Sequence, residues 1–453
     1  MSSLCAHAFQ CPDSSAKNTE RRLNKKHIRG AADVELLIFD LDGTISSTTR
    51  PIYEAVKRAF TGLNLTLSMT AGEMEKYFGA PSPEFYIALT PPASNVTWQE
   101  IKEKIHEEQA ETYRQYGETY PGVKETLQIL HKREYKLALF SNSTPGYFDT
   151  VIDALEIRKY FDYAECIGEN NLTKSELAGK IRKEFGNPGT AVVGDRIHDL
   201  EAARDNDSLS VGSLYGYGGS EPERANFTIS KFTELLDIFD RRIPIFEKTL
   251  EDISSRKQPA HPFIIGITGI DAAGKTIFTD GLSNFLSGKK YPVQVIHVDD
   301  FHNPKKIRYA GENEAANYFN LSFNFEKIIG ELLVPIHDKD NLSTEQTVLD
   351  LETDSYRNKR SYKISLDTIV LLEGVFLFRK DLSPYIDYYI YLDIPFEKCM
   401  ERGLERGGEE ERYRTKYIPA QKKYLGEYPF SEYADIIVDN SNWEYPRITY
   451  TRR

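Results

Sequence analysis

The chain has 453 residues, 57 Lys and Arg against 69 Asp and Glu, a net charge of −12 and 40% hydrophobic residues. That length exceeds one ordinary core and predicts two or three domains. The acidic balance argues against nucleic acid as a main partner, and no apolar run approaches the ~18 residues a membrane span needs.

Residues 1–33 are rich in Ser, Lys, Arg and Asn and have no apolar core of a secretory signal, so they read as a disordered basic tail. An organelle transit peptide is the alternative. The four cysteines, Cys5, Cys11, Cys166 and Cys399, form no CxxC pair. That spacing points to a reducing cytoplasm rather than to a disulfide or zinc framework.

An apolar run, Val34–Phe39, opens the first folded region, and Lys136–Phe140 and Thr190–Val193 are two more β-rich runs. Continuous apolar strands of this kind are buried on both faces, as in a parallel sheet covered by helices. Between the first two runs, residues from about 50 to 118 show helical spacing, with Ile52, Ala55, Val56, Ala59 and Phe60 on one face. They predict a helical insertion. A polar stretch, Ser254 to Pro262, carries two prolines and marks a linker. A second set of apolar runs follows at Phe263–Thr268, Val293–Val298, Thr368–Leu372 and Tyr388–Leu392. The expected class is α/β with two doubly wound domains. The first is Rossmann-like with a helical cap over residues 34–240, 241–261 is a linker, and a phosphate-loop domain covers 262–453.

The first apolar run ends in Phe39-Asp40-Leu41-Asp42-Gly43-Thr44. Asp is a poor strand residue, so two carboxylates there call for a reason. A Mg²⁺ site is one, because hard cations take oxygen ligands. In such a site one carboxylate can attack phosphorus while the other handles a proton. A helix N-cap is the structural alternative. Phe140-Ser141-Asn142-Ser143 follows the second run and offers phosphate donors, and Gly194-Asp195-Arg196-Ile197-His198-Asp199 follows the third and adds two carboxylates. In a doubly wound sheet such strand ends meet in one crevice. Lys174 stands at an expected helix start, with Lys180 as the alternative cation.

This ordered set resembles the haloacid dehalogenase-like hydrolases. Pro121-Gly122-Val123 and Tyr215-Gly216-Tyr217-Gly218 are similar to the phosphoglycolate phosphatase and β-phosphoglucomutase branch. The resemblance implies Asp40 as nucleophile forming an aspartyl-phosphate, Asp42 as acid and base, Ser141 as phosphoryl ligand and Lys174 as charge balance. It implies Mg²⁺ held by Asp40, Asp195 and the Asp42 carbonyl with Asp199 in support, and a small-molecule phosphomonoester as substrate. A phosphomutase shares these residues. The cap would choose the substrate, and its stretch Tyr77-Phe78-Gly79-Ala80-Pro81 names none.

In the second domain Gly269-Ile270-Asp271-Ala272-Ala273-Gly274-Lys275-Thr276 fits G-x-x-x-x-G-K-[ST] between an expected strand and helix. Backbone N–H groups of such a loop wrap the phosphates of ATP, Lys275 reaches the β- and γ-phosphates, and the Thr276 hydroxyl suits Mg²⁺. Asp299, with Asp300 beside it, follows another strand and fits a base that accepts a hydroxyl proton. Glu373 ends an apolar strand and suits a Walker B-like place near Mg²⁺. Arg402, Arg406, Arg412 and Arg414 form an arginine-rich segment from which one or two could close over the phosphates.

These parts resemble the uridine kinase and phosphoribulokinase family, with Ala434–Asn440 near the end also similar. The resemblance implies Asp299 as catalytic base, residues around 402–414 as the lid, and a small hydroxylated acceptor. Departures at Asp299-Asp300-Phe301-His302, at Arg406-Gly407-Gly408, and at Tyr318-Phe319-Asn320, where Asn320 stands for a ribose-binding carboxylate, leave uridine, sugars and pantothenate open. The expectation is a bifunctional phosphatase and kinase; a regulatory, non-catalytic half is the alternative.

Overall fold

The computed structural model describes residues 31–452 apart from 79–82, 93, 169–171, 257–260 and 339–340. The basic tail expected over 1–33 therefore lies outside the described residues except for Ala31–Asp33, a single 3-10 turn. Gly79 to Pro81 of the cap stretch lie outside them too. The chain divides into two compact units, Met1–Phe239 and Asp240–Arg453.

In the first unit β1 (Leu36–Asp40) is followed by two short strands, β2 (Ser46–Ser47) and β3 (Glu118–Thr119), which pair antiparallel. Then come β4 (Lys136–Ser141), β5 (Tyr163–Cys166), β6 (Thr190–Gly194), β7 (Leu209–Ser213) and β8 (Phe227–Ile229). The main sheet runs β5-β4-β1-β6-β7-β8, and every pairing in it is parallel. Alternate residues of β1 feed opposite layers: Leu37 and Phe39 join one apolar cluster, Leu36 and Ile38 the other. That two-sided burial is why the strand reads as an unbroken apolar run. Strand order reverses at β1, and ligands of such sheets bind at the carboxyl ends of strands flanking that point.

Between β2 and β3 the chain leaves the sheet and forms the cap. Its helices Thr49–Gly62 and Trp98–Tyr116 pack together, and Ile52, Ala55, Val56, Ala59 and Phe60 are all buried. Thr97 starts the second of them with a reciprocal capping box to Glu100.

The second unit carries β9 (Ile264–Gly269), β10 (Val293–His297), a hairpin of β11 (Asn341–Asp350) and β12 (Ser355–Ser365), then β13 (Ile369–Gly374), β14 (Tyr388–Asp393), β15 (Ile436–Asp439) and β16 (Arg447–Thr451). Its sheet runs β10-β13-β9-β14-β15-β16, parallel except for the last pair.

The segment expected as a linker, 241–261, is corrected in part. Ile243–Ser255 is a helix of the second unit, burying Ile245, Phe246 and Ile253 in that unit's core. The Phe246 and Phe278 rings meet edge to face at 5.2 Å. Burying one such ring contributes roughly 2 kcal/mol, enough to recruit a short amphipathic helix whose apolar spacing the prolines nearby concealed.

Candidate active sites

In the first unit, β1 and β6 deliver carboxylates to the same end of the sheet. Asp40, Asp195 and Asp199 can each offer an oxygen within 4.8 Å of the others, and all three are buried. Thr173 caps the helix Lys174–Glu184 in a reciprocal box with Glu176, which fixes Lys174 as its first residue. The Lys174 ammonium donates to Asp40 Oδ1 and lies 2.6 Å from Asp199 Oδ1. Lys180 points elsewhere, paired with Glu165 at 2.6 Å in an exposed position. Gly43 holds φ +85°, and a Cβ there would overlap the Asp195 carboxylate. Only glycine serves that turn.

Three buried carboxylates share one ammonium, and the electrostatics reflect it. Burial pushes Asp40 well above its ordinary pKa; Lys174 opposes that shift while Asp199 and Asp195 add to it. Asp195 is pushed up to about 7, first by burial and then by Asp199. Burial works against the Lys174 charge, but Asp199 and Asp40 outweigh it and hold the pKa above its ordinary value. Asp40 Oδ2 and Asp195 Oδ1 are buried without a hydrogen-bond partner. Buried carboxylate oxygens in that state are costly, and an excess of hard oxygen donors fits a divalent cation such as Mg²⁺.

The Asp42 side chain takes no part in that cluster. Its Oδ1 accepts from the Thr48 hydroxyl at 2.6 Å and from the Tyr147 hydroxyl at 2.6 Å. Tyr147 is in turn 2.7 Å from the hydroxyl of Tyr113, on the cap helix Trp98–Tyr116. Burial raises the Asp42 pKa against the pull of Thr48 and Tyr147. Asp40, Asp42 and Ser141 line one cavity of about 100 Å³, together with Phe85, Tyr86 and Gln109 of the cap. Ser141 ends β4, and its hydroxyl contacts Ser143 Oγ at 2.9 Å and Ser143 N at 3.1 Å. His198 stays outside the site, 3.6 Å from Glu201 on the surface.

Sequence reasoning missed Thr48, Tyr113 and Tyr147. Tyr217 belonged to a quoted motif, and its hydroxyl accepts from Thr48 N at 2.7 Å, anchoring the cap's first helix. Tyr147 stands 105 residues from Asp42, and no spacing in the chain announces that pairing.

In the second unit the loop 269–276 runs from β9 to the helix Lys275–Gly288, with Gly274 at φ +87° as its N-cap. A Cβ on Gly274 would press on Asn440, whose side chain donates to Ala273 O at 2.6 Å. Lys275 Nζ donates to Ile270 O at 2.9 Å. The Asp271 carboxylate accepts from Tyr318 at 2.7 Å and Gln421 at 2.9 Å. Glu373 ends β13, 3.5 Å from the Thr276 hydroxyl and 2.7 Å from His297 Nδ1. Asp299 follows β10; burial raises its pKa, with Lys275 and His302 pulling the other way. Its neighbour Asp300 is held by Arg360 of β12 in a two-point contact of 2.7 and 2.8 Å. Asp299 lines a cavity of about 430 Å³ together with Asp271, Lys275, Thr276 and Glu373.

The arginine-rich segment divides. Arg402 is buried and donates to the backbone oxygens of Asn440 and Ser441, both at 2.9 Å, and of Ala272 at 3.4 Å. These bonds tie it to the backbone beside the loop 269–276, and it also lines a cavity of about 460 Å³ there. Arg406 is exposed and lines the 430 Å³ cavity as well as the 460 Å³ one, beside Ala272, Gly274 and Trp443. Arg412 lines the first cavity while pairing with Glu409 at 2.9 Å, and Arg414 pairs with Glu410. Asn320 is corrected: it is exposed on the helix Glu314–Leu321, and Tyr318 of that helix faces the cavity.

With the geometry in place, comparison with known proteins separates the two units. Residues 37–211 match the haloacid dehalogenase-like hydrolase family. A phosphoglycolate phosphatase of Aquifex aeolicus is 24% identical over 225 residues, 47% of this chain and 100% of that protein. A uridine kinase of Limosilactobacillus reuteri is 27% identical over 193 residues, 41% of this chain and 86% of the kinase. A solved structure of a possible uridine kinase from Bacillus stearothermophilus is 27% identical, covering 44% of this chain and 98% of its own, with a TM-score of 0.36. The N-terminal half is a haloacid dehalogenase-like hydrolase domain. The C-terminal half is homologous to uridine kinases, so the chain has the make-up of a two-domain enzyme. Among the described residues no helix is long and apolar enough to cross a membrane.

Proposed function

We propose that the chain is bifunctional: its first half hydrolyses a small phosphomonoester, and its second half transfers phosphate from ATP to a hydroxyl of another small molecule. The observation that carries the first reading is the pair of partnerless buried oxygens on Asp40 and Asp195 beside Lys174. Asp40 attacks phosphorus through one carboxylate oxygen and becomes an aspartyl-phosphate, while Asp42 gives a proton to the departing oxygen. Asp42 then takes a proton from the water that cleaves the intermediate. Ser141 and Lys174 bind the phosphoryl oxygens. Mg²⁺, held by Asp40, Asp195, Asp199 and the Asp42 carbonyl, would neutralise phosphoryl charge.

For the second reading, the support is Asp299 facing the same cavity as Lys275, Thr276 and Glu373. The loop 269–276 cradles the triphosphate, Lys275 binds its distal phosphates, and Asp299 accepts the acceptor's hydroxyl proton. Thr276 and Glu373 would hold the Mg²⁺ that accompanies ATP. The 460 Å³ cavity beyond Ala272 and Gly274 suits the nucleoside end, with Arg406 between the two cavities. Cys166 and Cys399 are buried and unpaired, in keeping with a reducing cytoplasm. Crossed variants test the pair of readings. Asp40→Asn abolishes phosphate release and spares ATP-dependent phosphorylation; Lys275→Ala does the reverse. A variant that keeps its own half's activity sinks that half's reading.

A further inference from the structure

The cavity that holds Asp40, Asp42 and Ser141 is also lined by four rings of the cap, Tyr77, Phe78, Phe85 and Tyr86. They pack on one another: the centre of the Phe85 ring lies 6.3 Å from that of Tyr77, 6.0 Å from Phe78 and 5.3 Å from Tyr86. Phe78 also meets the Tyr217 ring edge to face at 5.1 Å. Aromatic pairs at such spacings hold one another in place, so this surface is built before a ligand arrives. Among the described residues no Lys, Arg or His lines the cavity. Lys174, beside Asp40 and Asp199, belongs to the phosphoryl end. Arg196, which donates to the Phe78 carbonyl, is paired with Glu221 at 3.2 Å. His106 Nε2 is 3.0 Å from the Tyr86 hydroxyl, and burial, with Lys102, lowers its pKa, so that ring is neutral at neutral pH.

One polar group in this setting lacks a partner. Gln109, on the cap helix Trp98–Tyr116, is only 3% exposed and lines the cavity, and its side-chain amide makes no hydrogen bond among the described residues. A buried amide in that state is uncommon and costly. A ligand with a donor or acceptor edge removes the cost by meeting it. The charges set a second condition. Asp40 and Asp42 are both buried and both line the cavity. A second anion on the substrate would share the cavity with these carboxylates and find no cation there to pair it. An unpaired buried charge costs far more than an unpaired amide. The cavity therefore favours an apolar body with one polar edge and disfavours a further negative charge.

We propose that the phosphatase half acts on monoesters of a compact, uncharged alcohol that presents an apolar or aromatic face to the cap rings and one polar edge to the Gln109 amide. This rests on the phosphatase reading above and names its substrate class. A phosphoryl group at Asp40 shares its cavity with the rings, so the alcohol part lies against them. In the first step an Asp40 carboxylate oxygen bonds to phosphorus and the ester P–O bond breaks. Its electron pair leaves on the alcohol oxygen, which takes the Asp42 proton. In the second step Asp42 takes a proton from water, the water oxygen bonds to phosphorus, and the aspartyl P–O bond breaks with its electron pair returning to Asp40. Neither step needs a charge on the alcohol.

The test measures phosphate release by the full chain with Mg²⁺ from matched esters: benzyl phosphate against its para-carboxy derivative, ethylene glycol monophosphate against phosphoglycolate, and pyridylmethyl phosphate against benzyl phosphate. The uncharged member of the first two pairs should give a kcat/KM higher by about tenfold or more, because an unpaired buried charge costs well over the ~1.4 kcal/mol that a factor of ten represents. The pyridine edge should be preferred over plain benzyl by about threefold or more, and Gln109→Leu should remove that preference. If Gln109→Leu does not fold, Gln109→Met must show the same loss. Phe85→Leu should lower the ratio of benzyl to methyl phosphate turnover by about threefold or more. Carboxylated esters turned over as well as the uncharged ones, or a pyridine preference that survives the Gln109 variant, overturn the inference and leave the phosphatase reading standing. No phosphate release from any ester overturns both.

Discussion

In the first unit three carboxylates are withdrawn from solvent around a single ammonium, under a cap that leaves a cavity of about 100 Å³. In the second unit Asp299 faces a cavity of about 430 Å³ that is also lined by cations, Arg406 and Arg412 among them exposed. Both candidate sites stand at the carboxyl ends of parallel strands, and on the proposed reading both handle phosphoryl groups. On the proposed reading the contrast follows from what each must exclude: a carboxylate nucleophile would be kept dry and pre-paired before the substrate arrives, and a kinase would admit a large, highly charged nucleotide through accessible cations.

Removing the central cation separates the two designs most sharply. Lys174→Met leaves Asp40 and Asp199 buried without it, and breaking a buried pair costs about 3–5 kcal/mol. Thermal unfolding of the first unit should move down by many degrees and phosphate release should vanish, with added Mg²⁺ recovering part of the stability. An unchanged unfolding temperature would mean the cluster is not pre-paired.

Next in size is Arg402 in the second unit. Arg402→Ala removes three hydrogen bonds to backbone oxygens, each worth about 1 kcal/mol or more. KM for ATP should rise at least ~10-fold, since 1.4 kcal/mol is a factor of ten, while phosphate release by the first unit stays at wild-type level. A fall in kcat without a change in KM would place Arg402 at the reacting phosphate instead.

The smallest effect concerns Asp42, the proposed acid and base of the first unit. Tyr147→Phe keeps the ring and loses one hydrogen bond to Asp42. A bond to a charged group contributes about 1.5–3 kcal/mol, so kcat for phosphate release should drop ~10-fold or more with KM nearly constant. A change confined to KM would make Tyr147 a substrate contact.

The sequence made the chemistry-bearing ends of strands legible because Asp40, Asp195 and Glu373 each follow a continuous apolar run, and Asp299 a β-rich run broken only by Gln294 and His297, where a carboxylate is out of place. The loop 269–276 was legible for the same local reason: its glycines, lysine and threonine carry their geometry in their spacing. What escaped was non-local. Tyr147 reaches Asp42 across 105 residues, and Tyr113 of the cap joins that pair through the Tyr147 hydroxyl. Asn320 was misread because helical rotation sets which side chain faces the cavity, and three adjacent residues point in three directions. The helix Ile243–Ser255 was hidden by the proline-bearing stretch that follows it.

The central claim is that two phosphoryl-transfer sites work independently in one chain. It is tested most directly by assaying the full chain carrying Asp40→Asn for both activities in the same preparation. Phosphate release should fall by about 10⁴-fold or more, the scale of losing a nucleophile, while ATP-dependent phosphorylation stays within about twofold of wild type. Retention of phosphate release, or loss of both activities in a folded protein, would contradict the account.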